Sequence, residues 1–218
     1  MNATHLHSLA LIAGVLVIAP FGAVATTPDH AMYVAHLKAM NAGTTKGSTT
    51  GEARFIIDGD NVTIDVRVHG APSDTVHWQH FHGFANGQPA SCPTAVADAN
   101  HDGIVDLIET GNTSGTTMVP FDSDPAGMDV AHGTYPKADA RGAYHYHQTV
   151  SLKALSTAFA KAFPGQKLDL DKRVVYIHGV PASPALPPTV ASLGPIPASV
   201  TLPIACGRIE RVAAKPRY

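Results

Sequence analysis

Three histidines within eight residues are the chemically most suggestive feature of the chain. The run from His77 to Phe84 reads HWQHFHGF. In a β-strand, successive side chains point to opposite faces, so His80 and His82 would share one face and Phe81 would lie on the other. Two neutral imidazoles side by side suit a copper, zinc, iron or nickel ion. The alternative is the histidine-rich polar face of a half-exposed strand.

A second constellation lies in the 12 residues from Asp98 to Glu109, which read DANHDGIVDLIE. This run, hereafter the acidic loop, matches the EF-hand calcium loop at every ligand position, and Gly103 stands where that loop turns sharply. The expected ligands are the side chains of Asp98, Asn100, Asp102 and Glu109, the carbonyl of Ile104 and a water held by Asp106.

The residues around the acidic loop decide what kind of calcium site to expect. A calcium sensor needs a helix on each side of its loop, and the stretch between Cys92 and Asp98 leaves no room for the first one. We therefore expect a single structural Ca²⁺ ion in a long connection and no opening switch. An acidic surface turn is the alternative.

Further histidines could supplement the first pair. In the run from Ala143 to Leu152, His145 and His147 would share one face of a strand, while Tyr144 and Tyr146 share the other. That pair fits a solvent-facing strand, a second metal site or extra ligands for the first. His77 has the parity of Phe81 and is expected to face away from His80 and His82.

The elements that position these residues are short strands. Glu52–Ile57 and the alternating Val62–His69 flank a turn at 58–61 and predict a hairpin. Further strands are expected at 32–40, 77–84, 143–152, 173–178 and 204–212, with one short helix at 156–163. Within the long connection at 87–141, ordered structure is expected only at 103–108 and 116–121. Short strands with long connections indicate an all-β fold, an antiparallel sandwich or barrel.

The N-terminus predicts export. Leu9–Ala19 is apolar and is followed by Pro20 and the small-residue triplet at 23–25, which predicts a signal peptide over residues 1–25. An uncleaved anchor is the alternative, since no Lys or Arg precedes the apolar run. Residues 26–218 are expected to form one domain in the periplasm or outside the cell.

Composition narrows the partners. A formal charge of −2 with 15% charged residues offers no basic patch for nucleic acid or for a membrane surface. The two cysteines, Cys92 and Cys206, would meet an oxidising compartment, which favours a disulfide over two free thiols.

Several segments, taken in order, resemble the copper/zinc superoxide dismutase superfamily, an eight-stranded Greek-key β-barrel. The matching segments are the hairpin at 51–70, His80–Phe84, Cys92, Arg173–His178 and Ala205–Ile209. The N-terminal half also looks like the CHRD modules of secreted proteins, for which no enzymatic role is implied.

The resemblance assigns roles to individual residues. It implies that His80, His82 and His178 bind copper, and that Cys92 and Cys206 form the disulfide that pins a long loop to the barrel. It also implies a fourth, bridging histidine soon after the first cysteine. His101 is the sole candidate there, both for that ligand and for a catalytic proton donor.

The chain departs from that family at three places. Pro203 stands where the family has its catalytic arginine, the acidic loop replaces the histidine-rich loop that holds zinc, and residues 180–203 contain seven prolines and no charged residue. We call this last segment the proline-rich loop. Zinc is therefore not expected, and the electrostatic guidance of an anion is lost.

Two functions follow from these observations. The first is copper-dependent dismutation of superoxide by His80, His82 and His178, weakened or lost through the missing arginine. The second is a non-enzymatic, calcium-stapled module of CHRD-like type that binds a protein partner or stores copper.

Overall fold

The fold is known from a computed structural model, which describes residues 30–45 and 47–213. The predicted signal peptide and its cleavage point lie outside the described residues. The eight strands are β1 (His30–Ala39), β2 (Thr50–Asp58), β3 (Asn61–His69), β4 (Gln79–Gly83), β5 (Thr116–Pro120), β6 (Tyr144–Ser151), β7 (Val174–His178) and β8 (Pro203–Arg211).

Helices contribute little to the architecture. They are α1 (Ala42–Thr45), α2 (Gly111–Ser114), α3 (Leu152–Ala162) and α4 (Ala198–Thr201), with 3₁₀ turns at Ala95–Ala97, Pro125–Gly127 and Leu170–Lys172. In the described part of the chain, only α3 exceeds a single turn. None of the described helices is long and apolar enough to cross a membrane.

All eight strands lie in one curled antiparallel sheet with the order β5-β4-β7-β8-β1-β2-β3-β6. The edge strand β6 also contacts the chain that follows β5: the Tyr146 hydroxyl donates to the Asp122 carbonyl at 2.7 Å, and the Gln148 amide donates to the Ser123 carbonyl at 3.1 Å. These contacts bring the two ends of the sheet together. The predicted all-β antiparallel architecture is confirmed.

The inner face of the sheet carries the hydrophobic core. In the predicted hairpin, Val62, Ile64, Val66 and Val68 are buried while the residues between them are not, as their alternation indicated. Aromatic rings pack against one another in this core. The ring of Phe55 in β2 lies 5.6 Å, between centroids, from that of Phe121, which follows β5.

The helix α3 begins earlier than the sequence predicted. The expected helix at 156–163 starts at Leu152 instead, because the Ser151 hydroxyl accepts a hydrogen bond from the Ala154 amide and caps the first turn. The preceding strand accordingly ends at Ser151. Leu155 and Phe159 are the buried residues of the helix and join the core.

The outer face of β4, β7 and β8 is also covered, so β4 and β7 are buried on both sides. Val174, Tyr176 and Cys206 form a second apolar cluster there with Ala90 of the long β4–β5 connection. The disulfide between Cys92 and Cys206 fixes this connection to β8, with 5.9 Å between the Cα atoms. The predicted disulfide is thereby confirmed.

Arg173 ties the end of β4 to the start of β7. Its side chain is fully buried and donates to the carbonyls of Leu168 and Lys167 at 3.0 and 2.8 Å, and to that of Phe84 at 3.4 Å. A Cβ atom at Gly83 would collide with this guanidinium, so glycine is required there. A buried cation is tolerated because its donors are used.

Replacing both cysteines with alanine, Cys92→Ala/Cys206→Ala, is expected to lower the free energy of unfolding by about 4 to 5 kcal/mol if chain entropy dominates. The physical reason is that the disulfide spans 114 residues and restricts the unfolded chain. Urea unfolding of the two proteins measures the difference. Reduced wild-type protein is the control and should match the variant; equal stability of variant and oxidised wild type would contradict the expectation.

Candidate metal centre

Strand alternation places His80 and His82 on the outer face of β4, while Phe81 packs in the core. The neighbouring β7 ends at His178, whose backbone amide donates to the Trp78 carbonyl at 2.8 Å. A ring nitrogen from each of the three histidines lies within 4.8 Å of the other two. The structure thus brings together the three residues that the sequence suggested, hereafter the buried histidine group.

The three rings are packed against one another and shielded from water. His80, His82 and His178 are 3%, 2% and 1% exposed. The centroid of the His80 ring lies 4.5 Å from that of His178 and 4.9 Å from that of His82. The half-exposed polar strand, the alternative considered from the sequence, does not describe this arrangement.

Each ring leaves one buried nitrogen without a hydrogen-bond partner. These atoms are Nδ1 of His80, Nδ1 of His82 and Nε2 of His178. An unsatisfied buried polar atom costs about 1 to 3 kcal/mol, and native structures contain few of them. Three such nitrogens at one place form a site that could hold a metal ion.

The remaining ring nitrogens orient the imidazoles. Nδ1 of His178 donates to the Thr201 carbonyl at 2.7 Å, which leaves the lone pair on Nε2. Nε2 of His82 lies 3.1 Å from the Thr117 hydroxyl. The tautomer of His82 with its proton on Nε2 has its lone pair on Nδ1. In that tautomer, as in His178, the unpartnered nitrogen is the one able to bind a metal.

Burial keeps the group uncharged. It lowers the pKa of His80 well below its usual value, an effect to which the neighbouring His178 and His82 add. Burial, together with His178, lowers the pKa of His82 to about 3. For His178, burial outweighs the hydrogen bond to Thr201 and lowers the pKa to about 4. All three rings are therefore neutral at pH 7, the form in which imidazole binds metals.

The spacing fits a single ion. Three nitrogens within 4.8 Å of one another share a point no more than about 2.8 Å (4.8 Å/√3) from each. Metal–imidazole bonds are about 2.0 to 2.1 Å long, so a shift of at most about 0.8 Å per ring would complete coordination. Side chains make such shifts without a change of fold.

A small cavity of about 20 Å³ opens beside the group. Its volume is comparable to that needed by one water molecule. Besides His80 and His178, it is lined by Trp78, Leu107, Thr117, Val130, Leu193 and Thr201. The surroundings of the buried histidine group are therefore largely apolar and carry no formal charge.

Two other histidines lie elsewhere. His101 is exposed within the acidic loop at φ 60° and is outside the group, so its role as fourth ligand and proton donor stays a prediction. His77 is buried and stacks on Tyr144, with its Nδ1 3.0 Å from the His178 carbonyl and its Nε2 3.0 Å from the Pro72 carbonyl. It contacts the backbone of His178, a contact that no sequence signal indicated.

The acidic loop has an ordered network of its own. The Asp98 carboxylate accepts from the amides of Asp102 and Gly103 at 3.2 and 2.9 Å, and Gly103 has the positive φ of 84° that the turn requires. Asp106 and Glu109 accept from each other's backbone amides at 3.1 and 3.0 Å, a capping box that starts a helical turn.

The acidic side chains of this loop do not converge as the histidines do. Among the described residues, two groups of three His, Cys, Asp or Glu have ligand atoms within 4.8 Å, and neither includes the loop. Its carboxylates accept backbone N–H groups instead. Calcium at Asp98, Asn100, Asp102, Ile104, Asp106 and Glu109 stays a prediction.

Side-chain hydrogen bonds join the acidic loop to the proline-rich loop and the barrel. Asp106 accepts from the Ala191 amide at 2.7 Å, and the Asn100 amide donates to the Thr189 carbonyl at 3.4 Å. The Asn41 side chain bridges Val105 and the Pro203 carbonyl, with each contact at 2.9 Å. Since each loop contributes a leucine to the cavity lining, the two loops cover the buried histidine group as one unit.

The chain matches no protein-family model, and no curated protein matches it.

The metal-free protein is expected to lose stability as the pH falls from about 6.5 towards 4. Unfolded histidines protonate near pH 6.5, whereas His82 and His178 resist protonation to about pH 3 and 4. The unfolded state then binds more protons, so the free energy of unfolding drops by up to about 1.4 kcal/mol per pH unit for each such histidine. Urea unfolding between pH 7 and 4.5 measures the slope.

The variant His178→Gln should show a slope shallower by about one proton. His36→Gln is the control, because His36 is exposed on β1. A slope in His178→Gln equal to that of the wild type would show that the ring does not stay neutral in the folded protein.

Proposed function

We propose that this chain is an exported protein that binds one copper ion at His80, His82 and His178. The observation that carries the proposal is the set of three buried, unpartnered ring nitrogens on neighbouring strands. Oxygen-preferring ions such as Ca²⁺ and Mg²⁺ do not suit an all-imidazole site. Among the first-row divalent ions, copper binds nitrogen ligands most tightly.

The resemblance to superoxide dismutases supports the same choice of metal. The histidine pair lies within one strand of an eight-stranded antiparallel sheet, and the third histidine ends the adjacent strand. Copper bound there could alternate between Cu(I) and Cu(II). A superoxide dismutase-like fold with copper at this position is therefore the assignment that we propose.

The surroundings favour holding copper over fast catalysis. Superoxide is an anion, and rapid capture needs an open path and a positive field. Here the cavity beside the group is small and largely apolar, and the proline-rich loop that contributes to it has no charge. Pro203 pairs with His178 in the sheet at the position where the resemblance implies arginine. We propose copper binding or storage as the main role, with dismutation weak or lost.

Calcium would act on the two loops that cover the buried histidine group, the acidic loop and the proline-rich loop. We propose that Ca²⁺ in the acidic loop fixes the loop in one conformation and, through Asp106 and Asn100, holds the proline-rich loop in place. The oxygen ligands of the EF-hand pattern suit Ca²⁺ and not copper. The two metals would then have separate roles, one structural and one bound beneath the cover.

The wild-type protein is expected to bind one Cu(I) tightly, and His80→Gln/His178→Gln to lose this binding. Removing two of three ligands should weaken affinity by more than about 100-fold, beyond the loss caused by changing a group that only orients a ligand. Competition with a chromogenic Cu(I) chelator measures the affinity. His36→Gln/His132→Gln, which removes two exposed histidines, is the matched control.

Equal affinity in the ligand variant and the wild type would contradict copper binding at this group. A superoxide assay of the copper-loaded protein then separates the two candidate functions. A dismutation rate no higher than that of free copper ion supports copper binding or storage. A clearly higher rate that is lost in His80→Gln/His178→Gln supports dismutation instead.

Calcium is expected to raise the thermal midpoint of the chelator-treated protein and to slow the extraction of Cu(I). A ligand at 100 times its dissociation constant stabilises the folded state by about 2.7 kcal/mol. Differential scanning calorimetry with and without Ca²⁺ measures the first effect, and the rate of copper transfer to a chelator measures the second.

The variant Asp98→Asn/Glu109→Gln should show neither effect of calcium. Glu210→Gln, which changes an exposed carboxylate on β8, and Mg²⁺ in place of Ca²⁺ are the controls. If Ca²⁺ shifts neither quantity in the wild type, the acidic loop is a surface turn held by its own hydrogen bonds.

A further inference from the structure

A second group of metal-ligating side chains lies on the solvent face of β3 and β6. It consists of Asp65, His145 and His147, and we call it the surface group. Asp65 is paired directly with His147 across the strands, and His145 lies two residues along on the same face. One Asp65 oxygen, Oδ2, lies 2.7 Å from His145 Nε2 and 3.0 Å from His147 Nδ1.

We propose that the surface group is a second metal site, which binds an exposed divalent transition-metal ion of the zinc and copper class. Two imidazoles and one carboxylate are a common ligand set for such ions. Their ligand atoms lie within 4.8 Å of one another, as in the buried histidine group. The site is independent of the copper centre, because it involves other strands and the opposite end of the sheet order.

The solvent exposure of the three side chains determines how an ion could be coordinated at the surface group. The side chains of His145 and His147 are 49% and 58% exposed, whereas that of Asp65 is 15% exposed. Water can therefore complete the coordination of a bound ion, and the histidine side chains can open by the few tenths of an ångström needed to admit it. A partly open site of this kind exchanges its ion with solvent.

The required tautomers are available to both rings. A metal at this position needs the lone pairs of His145 Nε2 and His147 Nδ1, so each proton must move to the other ring nitrogen. No described residue hydrogen-bonds to His145 Nδ1 or His147 Nε2, and water can accept from them. Neutral imidazole can adopt either tautomer at little cost.

The carboxylate is held in place by an arginine. Arg67 donates to Oδ1 at 3.2 Å, which leaves Oδ2 facing the two imidazoles. Oδ2 is therefore held on the side from which an ion bound by both imidazoles would be reached.

Other exposed histidine–carboxylate pairs show what is particular here. His36 lies 3.5 Å from Glu52 on the same sheet, and His30 lies 2.9 Å from Asp58. Each of these is a single histidine beside a single carboxylate, and within the described part of the chain neither belongs to a three-ligand group. The pair of His36 and Glu52 is thus a natural control.

Calorimetric titration of Zn²⁺ into the full mature chain at pH 7.5 tests the proposal. His145→Gln/His147→Gln should lose one bound Zn²⁺ equivalent, and Asp65→Asn should bind that equivalent at least about 10-fold more weakly. His36→Gln should bind as the wild type does. His80→Gln/His178→Gln should retain this equivalent, so that the result does not depend on the copper proposal.

Nitrogen-15 NMR of the histidine rings provides a second measurement on the unaltered protein. Zn²⁺ should shift the resonances of His145 Nε2 and His147 Nδ1 at stoichiometric concentration, with His36 unaffected. The proposal is overturned if His145→Gln/His147→Gln keeps the full stoichiometry, if His36→Gln loses as much binding, or if these two ring nitrogens do not shift.

Discussion

The pairing of β4 with β7 is the contact on which the rest of the molecule depends. These strands are short and about a hundred residues apart in the chain, yet their alignment places Tyr176 opposite His80 and brings His178 beside the same face. A buried side chain contacts the backbone at each end of the pair. Arg173 donates to carbonyls at one end, and Nδ1 of His77 lies 3.0 Å from the His178 carbonyl at the other. The contact of His77 is with the backbone of His178 itself, so the positions of the three rings follow from the sheet.

Both faces of β4 and β7 are buried. This burial keeps the three imidazoles neutral and available, and it also lowers the stability of the fold. The inner face is satisfied by apolar contacts, whereas the outer face carries three imidazoles that water cannot reach. Their cover is made of connections with little regular structure, which stay in place through a disulfide, the Asn41 bridge and the contact between Asp106 and Ala191. Leaving these polar atoms unpaired lowers the free energy of unfolding, a cost that is common at functional sites.

Local patterns predicted a large part of this arrangement. Period-two alternation was sufficient for the hairpin, for the shared face of His80 and His82, and for that of His145 and His147, because side-chain direction in a strand depends only on parity. Parity cannot show which distant strand lies alongside. Three contacts could therefore not be predicted, because they exist only once the sheet order and the loop paths are set. They are those of Asp65 with His147, His77 with His178, and Asp106 with Ala191. The start of α3 was missed for a local reason, since Ser151 fits both a strand end and a helix cap.

The long sequence separation between His82 and His178 also determines when, during folding, the three imidazoles come together. In the unfolded chain His80 and His82 are an isolated pair. The third imidazole arrives only when β7 docks, and pairings between strands so distant in sequence form slowly in β-proteins. Before that pairing, the chain offers only two of the three imidazoles. Assembly of the buried histidine group therefore reports that β4 and β7 have paired, so that any metal site there would be completed by folding and would not nucleate it.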